Sequence, residues 1–179
     1  MLRKAGDLIL RHNSVRNLLD RLASQAHLSP QLEKKGILGP TSGRRPGDVT
    51  IPLWGIGYGL AIDVAVTSPF TQKAIRALDP CEDYATNQKH AKYDASFRGL
   101  PYKFSALVFE TTGAINAEGA SVISQVARKA AQRLGKEFSS FCGRAWVRFS
   151  CNLQRSVSQA ILNRLDGAPL EPATTRCLA

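Results

Sequence analysis

The chain has 179 residues, 44% of them hydrophobic, which suits one folded domain with a sizeable core and excludes a disordered tail. Lys and Arg number 24 against 14 Asp and Glu, and the net charge of +10 with a pI near 9.9 favours a polyanionic partner, nucleic acid first. No apolar run approaches the roughly 18 residues of a membrane span, and Leu8–Leu10 is too short for a secretory core, while Asp7 and Asp20 argue against a transit peptide.

In chain order, Asn13–Ala26 reads as a helix, capped by Asn13 or Ser14, with Val15, Leu18, Leu19 and Leu22 at helical spacing. Residues 1–10 are then an N-terminal extension. Glu33–Leu38 is a short candidate strand, followed by a turn at Gly39–Gly43. Asp48–Leu53 reads as a second strand, with Val49, Ile51 and Leu53 on one face and Asp48 and Thr50 on the other. Pro52 places it at an edge or a strand end. Gly55–Gly59 is a hairpin-like connection. Leu60–Thr67 is the strongest strand, with Leu60, Ile62, Val64 and Val66 facing a core and Ala61, Asp63, Ala65 and Thr67 on the reverse.

Residues 81–97 are polar and read as mostly helical, and Phe104–Glu110 is a further strand. Ala117–Leu134 is a helix with Val122, Ile123, Val126, Ala127, Ala130 and Leu134 as its apolar stripe. A last helix or helix pair covers Phe138–Leu165. Gly167 and Pro169 end it, and 167–179 is expected to be a loose tail. The order predicts an α/β fold with a mixed sheet. Cys81, Cys142, Cys151 and Cys177 form no CxxC pair, which argues against zinc and for free thiols in a reducing, intracellular compartment.

Asp48 and Asp63 are the informative pair. Each sits on the polar side of a strand whose other side is apolar. If those strands pair through the 54–59 connection, the carboxylates converge on one side of the sheet. Their repulsion is relieved by a divalent cation, and oxygen ligands without a His or Cys cluster favour Mg²⁺ or Mn²⁺. Such an ion activates water and stabilises the charge of phosphodiester cleavage. The alternative is that each Asp is a solvated strand or turn residue.

Arg45-Pro46-Gly47-Asp48, fourteen intervening residues, and then Asp63-Val64-Ala65-Val66-Thr67 resemble the restriction-endonuclease-like, PD-(D/E)xK domain of site-specific non-LTR retrotransposons. The wider set Arg11-His12-Asn13, Glu33, Arg44-Arg45-Pro46, Lys89-His90 and Glu110-Thr111-Thr112-Gly113 is similar to mobile-element open reading frames found beside reverse transcriptases. The resemblance spans roughly residues 11–165, within a domain expected over 11–166. It implies a restriction-endonuclease-like mixed sheet flanked by helices, and a Mg²⁺- or Mn²⁺-dependent DNA endonuclease of mobile-element origin. The chain would act as a homodimer or as part of a larger mobile-element protein, with no membrane partner.

Two departures stand out. Gly47 is inserted into the Pro-Asp dipeptide, and Ala65 occupies the position of the (D/E)xK lysine. The resemblance implies a lysine moved to the following helix. Lys89 is the first choice, with Tyr93 a turn later, and Lys92 is the alternative. Its ammonium would orient water or stabilise charge at the phosphate. Glu33 resembles an acidic residue that completes the metal shell or supports it, with pairing to Lys34 or Lys35 as the competing view. Glu110 either reaches the same cleft or caps the helix at Ala117. His12 stands near the site or is a capping or surface residue.

Lys34, Lys35, Arg44 and Arg45 bracket Asp48, and Arg144, Arg148 and Arg155 share a face if the last helix is continuous; both groups suit phosphate contacts. Arg128, Lys129, Arg133 and Lys136 form a second basic run. Trp54 and Tyr58 suit stacking on a base, and Trp54 equally suits a lid on the core. The rival reading is a nuclease fold with a degraded site, kept as a nucleic-acid-binding or structural module. Ala65 and Gly47 are its support.

Overall fold

The computed structural model describes residues 2–165. The expected tail at 167–179 and Cys177 lie outside the described residues. The elements run α1 (Leu2–Gln25), β1 (Gln31–Leu32), β2 (Val49–Gly55), β3 (Tyr58–Thr67), α2 (Pro80–Tyr84), a π-helical turn (Ala85–His90), α3 (Ala91–Phe97), β4 (Tyr102–Glu110), α4 (Ala117–Arg133) and α5 (Phe138–Leu165). The fold is mixed α/β, as the residue pattern predicts. Its sheet has four strands in the order β1-β2-β3-β4. β1–β2 and β2–β3 are antiparallel, and β3–β4 is parallel, joined by the α2–α3 crossover. No described helix is long and apolar enough to cross a membrane.

Helices cover both faces of the sheet. Against one face, α1, α4 and α5 bury Val15, Leu19, Ile123, Val126, Phe149 and Leu153 on Val49, Ile51, Leu60, Ile62 and Val64. Each such side chain removed from water contributes on the order of 1.5–3 kcal/mol. On the other face, Cys81, Ala85, Tyr93 and Phe97 cover Ala61, Ala65, Ala106 and Val108. The alanines keep that face shallow, so the crossover packs close to the sheet. The reverse side of β3 is therefore buried as well, although it was expected to be polar.

Several boundaries differ from the sequence reading. α1 starts eleven positions before Asn13, so residues 2–10 are part of that helix rather than a separate extension. Asp7 is buried and accepts a 2.8 Å hydrogen bond from Asn163 Nδ2 of α5. Ser14 does not cap a helix; its hydroxyl donates back to Arg11 O at 2.8 Å and meets Ser156 Oγ at 3.1 Å. The strand expected at 33–38 is absent: Glu33 at φ 46° and Gly36 at φ 78° leave the extended region, and the two-residue β1 lies before it at Gln31–Leu32. Leu53 is 77% exposed rather than core-facing, because the β2–β3 register shifts between Ile51 and Gly55. On α5 the core side is Ala145, Phe149, Leu153 and Ala160, while Val147 and Ile161 face solvent.

The outer edge of β4 is closed by side chains. Asn116 Oδ1 accepts from Val108 N at 2.9 Å, and its Nδ2 donates to Ala106 O at 3.0 Å. Glu118 Oε2 accepts from Ala106 N at 3.1 Å. A sheet edge otherwise open to strand addition is occupied this way.

Candidate active site

The site forms where the β2–β3 pair begins. Val49 pairs with Ile62, so continuing the antiparallel register brings Asp48 beside Asp63. The ladder becomes irregular at that step. Asp48 N donates to Ile62 O at 2.8 Å, and Asp48 Oδ2 accepts from Val64 N at 2.7 Å. The side chain of Asp48 thus substitutes for a backbone carbonyl and lies along the hydrogen-bonding direction of the sheet. Gly47 explains itself here: a Cβ at that position would sit 3.1 Å from Ile62 N and 3.2 Å from Ala61 Cβ. The inserted residue has to be glycine-sized for the chain to lie against β3.

Asp63 is 7% exposed and projects from the reverse side of β3. Lys89, from the π-helical turn, makes an ion pair with its Oδ2. No other described group donates a hydrogen bond to that oxygen, which is buried. Burial drives the Asp63 carboxyl above its usual range, even though Lys89 opposes it and Asp48 adds to it. Burial works against the Lys89 ammonium too, but there the charge and hydrogen bond of Asp63 win and hold it protonated. Tyr84 adds its ring face, 5.8 Å from Nζ. Ala65 lies beneath α2 and the π turn, 7% exposed. A lysine there would be forced under the helical cover, so the one ammonium at the site arrives from outside the strand.

His12 closes the cluster from α1. Its Nε2 is 3.1 Å from Asp48 Oδ2 and its Nδ1 is 3.3 Å from Asn13 Oδ1. Two acceptors facing the two ring nitrogens favour the doubly protonated ring. Its pKa is raised, chiefly by the hydrogen bond to Asp48, against burial and Arg16. His12 is therefore part of the site rather than a cap. Arg16, one turn further along α1, was not singled out in the sequence. Its i+4 spacing from His12 was the available signal. Arg16 Nη1 contacts Glu33 Oε1 at 2.7 Å, and Arg45 Nη1 contacts Glu33 Oε2 at 2.5 Å.

Glu33 thus has both oxygens engaged by arginines. The structure pairs it with these two rather than with Lys34 or Lys35, and does not bring it onto Asp63. Lys34 instead donates to Tyr102 Oη at 3.1 Å. Glu110 is buried at the far end of β4, opposite Thr67, and accepts from Thr112 Oγ1 at 2.8 Å. Asp63 stands opposite Ala106, four residues away, or about 13 Å along the strand. Glu110 therefore does not share the cleft, nor does it cap α4; Glu82 Oε1 takes Ala117 N at 2.5 Å. Tyr93 is 7% exposed in the core, its ring 5.0 Å from that of Phe104, and takes no part in the site. Lys92 lies exposed over Tyr93, 4.6 Å from the ring centroid, away from Asp63.

Lys35 and Arg44 are exposed. Trp54 packs on the core as a lid, with Lys129 Nζ 5.8 Å from its ring; Tyr58 carries Lys103 at 4.3 Å. Arg144, Arg148 and Arg155 line a groove between α1 and α5, on the opposite side of the sheet from Lys89. The described cysteines, Cys81, Cys142 and Cys151, are free, and burial pushes the Cys81 thiol up to about 12.

Among the described residues, no three His, Cys, Asp or Glu side chains converge as a preformed metal cluster. The two aspartates still fit a divalent cation. Asp63 Oδ2 is buried with only an ammonium for company, and Asp48 uses Oδ2 for both of its hydrogen bonds. A Mg²⁺ ion commonly takes one or two protein carboxylates and fills its shell with water and phosphate oxygens. No protein-family model matches this chain, and no curated protein matches it either.

Proposed function

We propose that the chain is a restriction-endonuclease-like domain that hydrolyses DNA phosphodiester bonds with Mg²⁺ or Mn²⁺, and that it originates from a mobile element. The observation that carries this reading is the meeting of Asp48, Asp63 and Lys89 from three separate elements at one point of the sheet. Asp48 and Asp63 would hold the metal, which when bound supplies a Lewis acid and lowers the pKa of a coordinated water. Lys89 holds a positive charge beside Asp63, suited to orienting a water or steadying negative charge at a phosphate. His12 fixes Asp48 by its 3.1 Å contact. Lys35, Arg44 and Arg45, close to Asp48 in sequence and exposed, suit contacts to a phosphate backbone.

The experiment is a plasmid-nicking assay with Mg²⁺ and Mn²⁺. Nicking that EDTA stops, and that Asp63→Asn abolishes while DNA binding persists, is the expected result. Equal nicking by Asp63→Asn would rule out this site.

One observation favours the second reading, a nuclease fold kept for nucleic-acid binding or structure. Each carboxylate already has a cation at hand, His12 for Asp48 and Lys89 for Asp63, so the cluster is near neutral without a metal. Salt-dependent DNA binding without cleavage, and no Mn²⁺ binding by calorimetry, would select that reading.

A further inference from the structure

On the far side of the sheet, α1 and α5 run antiparallel. Asp7 meets Asn163, and Ser14 meets Ser156. Continuing that register brings Leu18 and Leu22 alongside the 148–152 segment. Beyond it the two helices enclose a groove of about 550 Å³. Its floor is apolar: Leu18, Leu22, Phe141, Ala145 and Phe149. Its rim is basic: Arg21, Arg144, Arg148 and Arg155, with Lys136 at one end. All five cations are exposed, and among the described residues none is in ion-pair contact with a carboxylate. Val147 and Leu134, 61% and 41% exposed, extend the apolar surface at the groove.

We propose that this groove docks an acidic amphipathic helix of a protein partner. Two antiparallel helices present rows of side chains spaced four apart, and a third helix seats its own row in the gap between them. The α5 wall from Phe141 to Arg155 is about 21 Å long, the length of a helix of about 14 residues. The apolar floor requires leucine- or phenylalanine-like knobs. The unpaired rim requires carboxylates on the flanks, which supply the missing counter-charge. A nucleic acid satisfies the rim but brings nothing aliphatic for the floor. The groove offers no exposed Trp or Tyr ring for base stacking either. This proposal stands apart from the endonuclease reading, since it uses no residue of the Asp48–Asp63 cluster.

The test is selection from a displayed library of random peptides, each about 16 residues long, on the full chain, with counter-selection on Arg148→Glu/Arg155→Glu. Both positions are exposed, and unchanged thermal melting certifies the variant's fold. The expected winners carry Leu or Phe at i, i+3, i+4 and i+7 with flanking Glu or Asp. Their affinity should fall about tenfold in the variant and weaken with salt. A single-stranded oligonucleotide (poly-dT) should compete poorly. Winners without acidic flanks or helical periodicity, or indifferent to the double substitution, would overturn the proposal. So would no winner at all, or an oligonucleotide that displaces the peptides and itself depends on Arg148 and Arg155.

Discussion

Lys89 and Asp63 meet across the β3–β4 crossover, 26 positions apart in sequence, and each is the other's principal partner. Both side chains are largely buried, at 18% and 10% exposure, so neither charge can turn to water if its partner is removed. Lys89→Ala should therefore destabilise the fold by about 2–3 kcal/mol at mildly alkaline pH. The penalty should shrink on acidification, because the Asp63 carboxyl, already raised by burial, then takes a proton and loses its charge. Lys89→Ala combined with Asp63→Asn should recover most of the loss. Urea midpoints of the two single variants and the double variant across pH measure this coupling.

His12 makes stability depend on pH in the opposite sense. Its folded-state pKa is raised above the ordinary 6.5. The stabilisation from its contact with Asp48 is complete below that ordinary value and is lost as pH rises through the folded one. Urea midpoints should accordingly fall as pH rises above the ordinary histidine value. His12→Gln should flatten that slope, and an unchanged slope would detach His12 from it.

Glu33 restrains two arginines beside the carboxylates. Glu33→Gln removes the charge that holds Arg16 and Arg45 together. At 41% side-chain exposure the ion pairs contribute little, so stability should move by less than about 1 kcal/mol. DNA affinity measured without divalent metal should rise about threefold, with a steeper salt dependence, as the two guanidinium groups become available to phosphates. Weaker binding by Glu33→Gln would instead give Glu33 a direct part in the site.

Asn116 is fully buried and satisfies one donor and one acceptor at the edge of β4. Asn116→Ala leaves Val108 N–H and Ala106 C=O without partners, at a cost of about 3 kcal/mol. Asn116→Asp keeps the acceptor and loses the donor, so it should fall between. Chemical denaturation ranks the three, and light scattering of Asn116→Ala should reveal strand-mediated association.

The elements that carry strong periodicity were readable from the residues. β3, β4 and α4 stand where apolar spacing puts them, because burying those side chains decides the local structure. The irregular parts were not readable. The extended-strand reading of 33–38 had no way to register a left-handed backbone at Glu33. The helix start at Asn13 rested on capping chemistry, whereas the buried contact of Asp7 with Asn163 of α5 holds helical turns before it. Within the site, Asp48 and Asp63 followed from strand patterning, and Lys89 came from a resemblance. Nothing in local spacing could have tied Lys89 to β3, since that contact depends on how the crossover lies on a face of alanines. Tyr93 failed for the same reason: its place in a helix said nothing of whether it faced the core or the carboxylates.

The π-helical turn at Ala85–His90 gives the crossover one residue more than an α-helix of the same rise would hold. Lys89 owes its bearing to that surplus residue. Deleting a single codon among 85–88 would restore ordinary helical pitch and rotate everything that follows by about 100° relative to the residues before it. Tyr93 and Phe97, anchored in the core, would hold α3 in place, so the turn would have to unwind or Lys89 would swing off Asp63. Chain length in this turn is thus under the same constraint as the identity of the lysine, and a frame-preserving deletion there should be as damaging as Lys89→Ala.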